Sequence, residues 1–321
     1  MKKSKPRLID FHPPRADMRA DVLEGLSRTH KELSPKYFYD ERGSHLFEDI
    51  TRLPEYYLTR TEADIMQARL PEMAELIGPH AAVIEFGSGT GEKIRRLLQH
   101  LENPVAAVTV EISRNHLLAS AERLASNLPE LDVIAVCADF TQPFRLPAIA
   151  RTERNLVFFP GSTIGNFAPA EAVSLLEVMH QVAGEQGGLL IGVDLVKDEA
   201  ILEAAYNDSQ GVTAAFNLNL LRRINNELGA DFVLNDFRHH AVYNEKKGRI
   251  EMYLVSQCSQ KVKIDGNNIA FAGGEQILTE YSHKYELDSF AEMAAAAGFK
   301  VQQVWTDPQQ LFSVQYLQAN S

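Results

Sequence analysis

The sequence predicts an α/β protein in which a doubly wound, mostly parallel sheet is interrupted by an inserted α+β segment and closed by a C-terminal β-hairpin. Three observations carry this expectation. Short, near-continuous apolar runs alternate with helical spacing from about residue 80 to residue 196, the pattern of a parallel sheet covered on both faces. A glycine-rich turn, EFGSGTGEK at 85–93, stands between the first of these strands and the first helix. The alternation stops at residue 197 and resumes at 285 with one helix and two strands.

Taken in order, AAVIEFG (81–87) is a strand, EKIRRLLQHL its helix, PVAAVTVEI the second strand and RNHLLASAERLASNLP the second helix. LDVIAVCADF and NLVFFPG are the third and fourth strands, PAEAVSLLEVMHQVA a helix and GGLLIGVDLV the fifth strand. Within 197–284, DEAILEAAYND and VTAAFNLNLLRRINNEL read as helical, and RHHAVYNEKKGRIEMYLVSQ as strand, turn, strand. KVKIDGNNIAF carries an Asp-Gly hairpin signal. The helix LDSFAEMAAAAGF ends in glycine, and KVQQVWTD with LFSVQYLQ forms a closing strand pair. A nicotinamide-cofactor fold more often continues with another parallel βα unit; a terminal hairpin is the layout of class I methyltransferases, which use S-adenosylmethionine (SAM). The division expected is 61–196 with 285–321 as the SAM-binding domain, and 1–60 with 197–284 as the substrate-binding domain. Residues 1–60 join the latter because they show no strand pattern of their own.

Composition narrows the function classes. The chain has 321 residues, 45% of them hydrophobic, and a formal net charge of −11. An acidic protein lacks the basic face that phosphate backbones require, so no nucleic-acid partner is expected. The basic start MKKSKPRL has no apolar segment behind it, and no run approaches the length of a membrane span. Cys137 and Cys258 sit in strand-like runs and read as buried structural thiols. No CxxC or HExxH pattern points to a metal. A cytoplasmic, metal-free protein acting on a small molecule, as a monomer, is the expectation.

Two stretches bear on chemistry. In EFGSGTGEK, Gly87, Ser88 and Gly89 form a turn in which the backbone can approach a ligand, ahead of a helix N-terminus. The dinucleotide fingerprint would place a third glycine at 92, where this chain has Glu92. Glu111, closing the second strand, can accept both ribose hydroxyls of a nucleoside or be a surface acid at a strand end. Asp139 and Phe140 can offer an acceptor and an apolar face to an adenine, and Lys93 either meets a cofactor carboxylate or is solvated. After the fourth strand, Thr163 and Asn166 can cap the helix that begins near Pro169, while Asn166 also suits an ammonium–carboxylate substrate. In LPEYYLTRTE (53–62), Thr59 and Glu62 have capping-box spacing for a helix start. Tyr56 and Tyr57, just before, either staple a loop to that helix or hold a ligand.

Seven motifs together change the weighting: SPKYFYDERGSHLFEDITRLPEYYLTRTE, EFGSGTGEK, FFPGSTIGNFAP, DLVKD, AYND…GVTAAFN, RIEMYL and LTEYSHKY. From about residue 20 to residue 307 the chain resembles the histidine-specific Nα-methyltransferases of ergothioneine biosynthesis. The resemblance implies trimethylation of the α-amine of L-histidine by SAM, giving hercynine. It also implies that Tyr56, Asn166 and Tyr206, with Thr163 nearby, hold the amino-acid end of the substrate, and that Tyr39 lies near the amine and the cofactor. Met252, Glu280 and Ser282 match the imidazole end. Competing readings are the same fold acting on another amino acid such as tryptophan, a non-catalytic nucleotide-binding module, and, remotely, a hydride-transferring enzyme. An indole reader should lack the acid that this chain keeps at Glu280.

Overall fold

The structure, a computed structural model, describes residues 5–13, 17–87, 89 and 91–320. In chain order the elements are β1 (Arg7–Asp10), α1 (Met18–Ser27), β2 (Lys31–Glu32), α2 (Glu41–Ile50), α3 (Tyr57–Ile77), β3 (Ala81–Phe86), α4 (Glu92–Leu98), β4 (Ala106–Glu111), α5 (Arg114–Asn127) and β5 (Asp132–Cys137). Then come β6 (Arg154–Phe159), α6 (Pro169–Ala183), β7 (Gly188–Asp194), α7 (Glu199–Tyr206), α8 (Val212–Leu228), β8 (Phe237–Asn244) and β9 (Arg249–Ser256). The chain finishes with β10 (Gln260–Ile264), β11 (Asn267–Phe271), β12 (Gln276–His283), α9 (Leu287–Ala296), β13 (Phe299–Thr306) and β14 (Phe312–Ala319). The described residues of 1–14, 61–195 and 285–321 make one compact unit, and those of 15–60 and 196–284 a second.

The first unit is built on an eight-stranded sheet of order β1-β5-β4-β3-β6-β7-β14-β13. Strands β1 through β7 in this sheet pair in parallel, while β14 runs antiparallel to β7 and β13 antiparallel to β14. Every residue of β3 and of β7 is buried, as the unbroken apolar runs require of strands covered on both faces. The order reverses between β3 and β6, and in open α/β sheets the crevice beyond the strand ends at such a switch is where ligands bind. This is the class I methyltransferase arrangement.

The N-terminus departs from expectation. Residues 7–10 form β1, which pairs in parallel with β5 from Arg7↔Ile134 to Asp10↔Cys137, so the first strand belongs with the large sheet and not with the substrate-binding segment. The stretch RLID is too short to show a period, and only its edge pairing makes it a strand. Cys137 is buried, as expected, but Cys258 is exposed because β9 ends at Ser256, two residues before it.

The second unit holds a four-stranded sheet of order β2-β12-β9-β8 and the β10–β11 hairpin. Helix α2 packs on α8. The aromatic packing centres on Phe216 of α8, stacked on Phe38 at 4.4 Å between ring centroids and met by Tyr39 and Phe47 at 5.8 and 6.1 Å.

Candidate functional site

In the first unit the two loops that flank the switch point are the glycine turn after β3 and residues 160–167 after β6. Gly87 and Gly91 have φ of 78° and 74°, the left-handed region in which side chains are strained, and Gly91 then caps α4. A Cβ built on Gly89 would meet no heavy atom within 4 Å, so the turn has open space on its exposed side. Ser88 lies outside the described residues. Glu92, the residue that breaks the dinucleotide fingerprint, is engaged with Arg95 and Arg96, whose hydrogen bonds bring its carboxyl down to about 2.

Beneath this turn is a cluster that the local sequence pattern misassigns. Helix α3 begins at Tyr57, so Thr59 lies inside it and Glu62 does not close a capping box. Glu62 is instead buried at 1% exposure, contacts the Lys93 ammonium, and accepts the Gly161 N–H at 2.7 Å. One carboxylate thus ties α3 to the helix after the glycine turn and to the loop after β6. Space for it comes from Gly192, where a Cβ would stand 2.1 Å from Glu62 Oε1. Glu85 of β3 is also buried, its Oε2 has no hydrogen-bond partner, and burial raises its carboxyl well above the usual range against the pull of Lys93.

The remaining expected cofactor residues lie at strand ends of the same sheet. Glu111 ends β4 and its Oε1 accepts the Ser113 N–H at 3.1 Å. Asp139, just past β5, spends Oδ1 on the N–H and hydroxyl of Thr141 at 3.0 and 2.7 Å, which fixes its rotamer. The Phe140 ring lies 5.6 Å from Phe86 and 6.1 Å from Phe159. After β6, Thr163 and Asn166 occupy a 3-10 turn and cap nothing: Thr163 donates to Pro160 O at 3.1 Å, and α6 is capped by Glu171, which accepts the Ala168 N–H at 2.9 Å. Ser162, just before, is a non-glycine residue at φ 55°, held there as its Oγ accepts the Asp194 N–H at 2.9 Å.

The second unit gathers the other expected residues. Met252 of β9 is directly opposite Glu280 of β12, across a bulge at Leu278/Glu280. Ser282 follows two residues on, on the same strand face as Glu280. Burial lifts the Glu280 carboxyl to about 7, opposed by Lys284. Lys284, only 5% exposed, donates to Ser282 Oγ at 2.8 Å and to Tyr206 Oη at 3.1 Å. Tyr206, at the end of α7, meets Tyr56 edge-on at 6.2 Å. Tyr56 in turn meets Phe47 at 6.4 Å, and Phe47 meets Tyr39 at 5.7 Å. Tyr39 retains 48% exposure, yet the crowding around its phenol, with Glu280, Tyr56 and Tyr206 nearby, raises it well above the usual range and keeps it neutral. Tyr57 does something else: its hydroxyl accepts from Lys197 at 2.7 Å. Lys284 lies within LTEYSHKY, and alternation from Glu280 through Ser282 puts it on their face, but its partners are not readable from spacing.

A model of the histidine-specific, SAM-dependent methyltransferases matches residues 18–319. The chain belongs to this family. It is 40% identical over 296 residues to a histidine N-alpha-methyltransferase of Mycolicibacterium smegmatis, covering 91% of each chain. It is 42% identical to the protein of that name from Mycobacterium tuberculosis, covering 90% of this chain and 91% of that one. An ergothioneine biosynthesis protein 1 of Neurospora crassa is 32% identical over 86% of this chain, which spans 32% of that longer protein. As a family member the chain is a methyltransferase that uses SAM. Its first unit fits that cofactor: a left-handed glycine turn with open space, a lysine fixed beside it, and an acid at the end of the neighbouring strand. Among the described residues no group of His, Cys, Asp or Glu could hold a metal, and no helix is long and apolar enough to cross a membrane.

Proposed function

We propose that this enzyme transfers three methyl groups in succession to the α-amine of free L-histidine, giving hercynine in ergothioneine biosynthesis. The observation that supports it most is the second unit's pairing of Glu280 with Ser282 on one strand face, opposite Met252. That triplet offers an acceptor, a hydroxyl and a thioether wall, a set matched to an imidazole and poorly matched to an indole, which has one N–H and no acceptor nitrogen. Above about pH 7 Glu280 is a carboxylate and accepts the ring N–H. A ring without that N–H leaves the carboxylate desolvated, a cost of several kcal/mol.

The family resemblance assigns Tyr56, Tyr206, Thr163 and Asn166 to the amino-acid end of the substrate. In this reading Tyr39 stands near the amine. A neutral phenol there does not stabilise the ammonium form, so the amine can lose its proton to water and attack as the free base. No side chain is needed as a dedicated general base. Lys93 holds the carboxylate of the cofactor, Glu111 the ribose hydroxyls, and Asp139 with Phe140 the adenine, over Gly87, Ser88 and Gly89. When bound, SAM supplies a methyl carbon on a sulfonium. The protein's part is alignment, worth many orders of magnitude when the reacting atoms are held in line. Incubation with SAM and either L-histidine or L-tryptophan, followed by mass measurement, tests the assignment. Gain of three methyls by histidine alone is expected; methylated tryptophan with untouched histidine would overturn it.

A further inference from the structure

Lys284 has no part in the reaction so far described, yet it is a buried cation placed among the residues assigned to substrate. Its backbone N–H donates to Gly248 O at 2.8 Å, which fixes the base of the side chain at the end of β12. Its ammonium reaches Ser282 Oγ at 2.8 Å and Tyr206 Oη at 3.1 Å, and lies 5.0 Å from the centroid of the Tyr206 ring. An ammonium carries three donors and no acceptor, whereas a hydroxyl carries one donor and accepts through its lone pairs. Both hydroxyls must therefore accept from Lys284, and the hydrogen of each is directed elsewhere.

We propose that Lys284 is a positioning residue whose ammonium orients the Ser282 hydroxyl and keeps a second cation from its oxygen, and so makes the enzyme bind the neutral imidazole ring of histidine. This rests on the histidine reading above. The logic lies in the pair on β12. Glu280 as a carboxylate can only accept, and Ser282, with one lone pair taken by the Lys284 ammonium, keeps a hydrogen to donate. A neutral imidazole has one N–H and one bare nitrogen and satisfies both. An imidazolium would bring a second positive charge up to the oxygen that already holds the Lys284 ammonium. Without Lys284, Ser282 is free to turn and accept, and the carboxylate of Glu280 then favours the imidazolium.

The test uses the full chain, S-adenosylhomocysteine and L-histidine labelled with 15N in the ring, at about pH 8. Wild-type protein should show bound histidine with one pyrrole-type and one pyridine-type nitrogen, which is the signature of a single neutral tautomer. Lys284→Met should keep S-adenosylhomocysteine affinity, lose roughly tenfold or more in histidine affinity, and bind a ring with two pyrrole-type nitrogens. Lys284→Arg, which keeps the donors, should retain the neutral ring. A wild-type complex holding an imidazolium overturns the proposal whatever the variants do. So does a Lys284→Met protein that binds the neutral ring as tightly as wild type. Wild-type protein that binds S-adenosylhomocysteine but no histidine overturns the histidine reading itself, an outcome distinct from both.

Discussion

Glu280 is the residue where function and stability pull apart. Burial raises its carboxyl from 4.5 to about 7, so keeping it ionised in the folded apo-protein costs about 3 kcal/mol at alkaline pH relative to the unfolded chain. The sign follows from proton binding. Between pH 4.5 and 7 the folded state holds a proton that the unfolded state has lost, so the contribution of Glu280 is fully present below about 4.5 and is lost as pH rises through 7. Glu280→Gln keeps the shape and removes the charge. At about pH 8 the apo-variant should therefore be more stable than wild type by up to roughly 3 kcal/mol, shrinking to under about 1 kcal/mol near pH 5. The same substitution should weaken histidine by two orders of magnitude or more, because an amide cannot take the ring N–H with charge assistance, while S-adenosylhomocysteine affinity is preserved. Thermal or urea midpoints at the two pH values, with calorimetry for both ligands, check all three. A variant no more stable than wild type at alkaline pH would refute the premise that the ionised form is held at a cost. Retained histidine affinity would refute the role in recognition.

Further outcomes follow from the same contacts. His283 is pushed down to about 4 by burial, with Arg249 and Lys284 adding to the drop, so its contribution is present above about 6.5 and is lost as pH falls toward 4, up to about 3 kcal/mol. This slope opposes that of Glu280, so Glu280→Gln should expose an acid-side loss that wild type masks; a flat midpoint for the variant from pH 7 to 4.5 would count against it. Glu62→Gln removes the anion beside Lys93 and should weaken S-adenosylhomocysteine roughly tenfold or more in calorimetry. Gly192→Ala, whose Cβ would invade the Glu62 carboxylate, should shift it in the same direction, and unchanged affinity in both would remove Glu62 from the cofactor site. Tyr56→Phe should raise the KM for histidine about fivefold with a smaller effect on kcat; an unchanged KM would return that tyrosine to the aromatic packing it shares with Phe47 and Tyr206.

The sheet, its glycine turn and the terminal hairpin were legible in the sequence because they are local. A strand buried on both faces must be apolar throughout, a left-handed turn favours glycine, and a hairpin joins neighbours in the chain. The family motifs likewise named Met252, Glu280 and Ser282, which the structure places opposite or beside one another on β9 and β12. What only the tertiary structure decided are the partners of charged residues far apart in sequence. Glu62 reads as a helix cap three residues from Thr59, but its acceptor site is filled by Gly161, 99 residues away. Lys284 reads as one more polar residue in a strand, but it meets Tyr206, 78 residues back. β1 is a strand because β5 has an open edge, and Cys258 is exposed because β9 ends just before it. Periodicity reports which side of an element is buried; it carries no information about which distant polar group will be found there, and in a low-dielectric interior that choice of partner sets the chemistry.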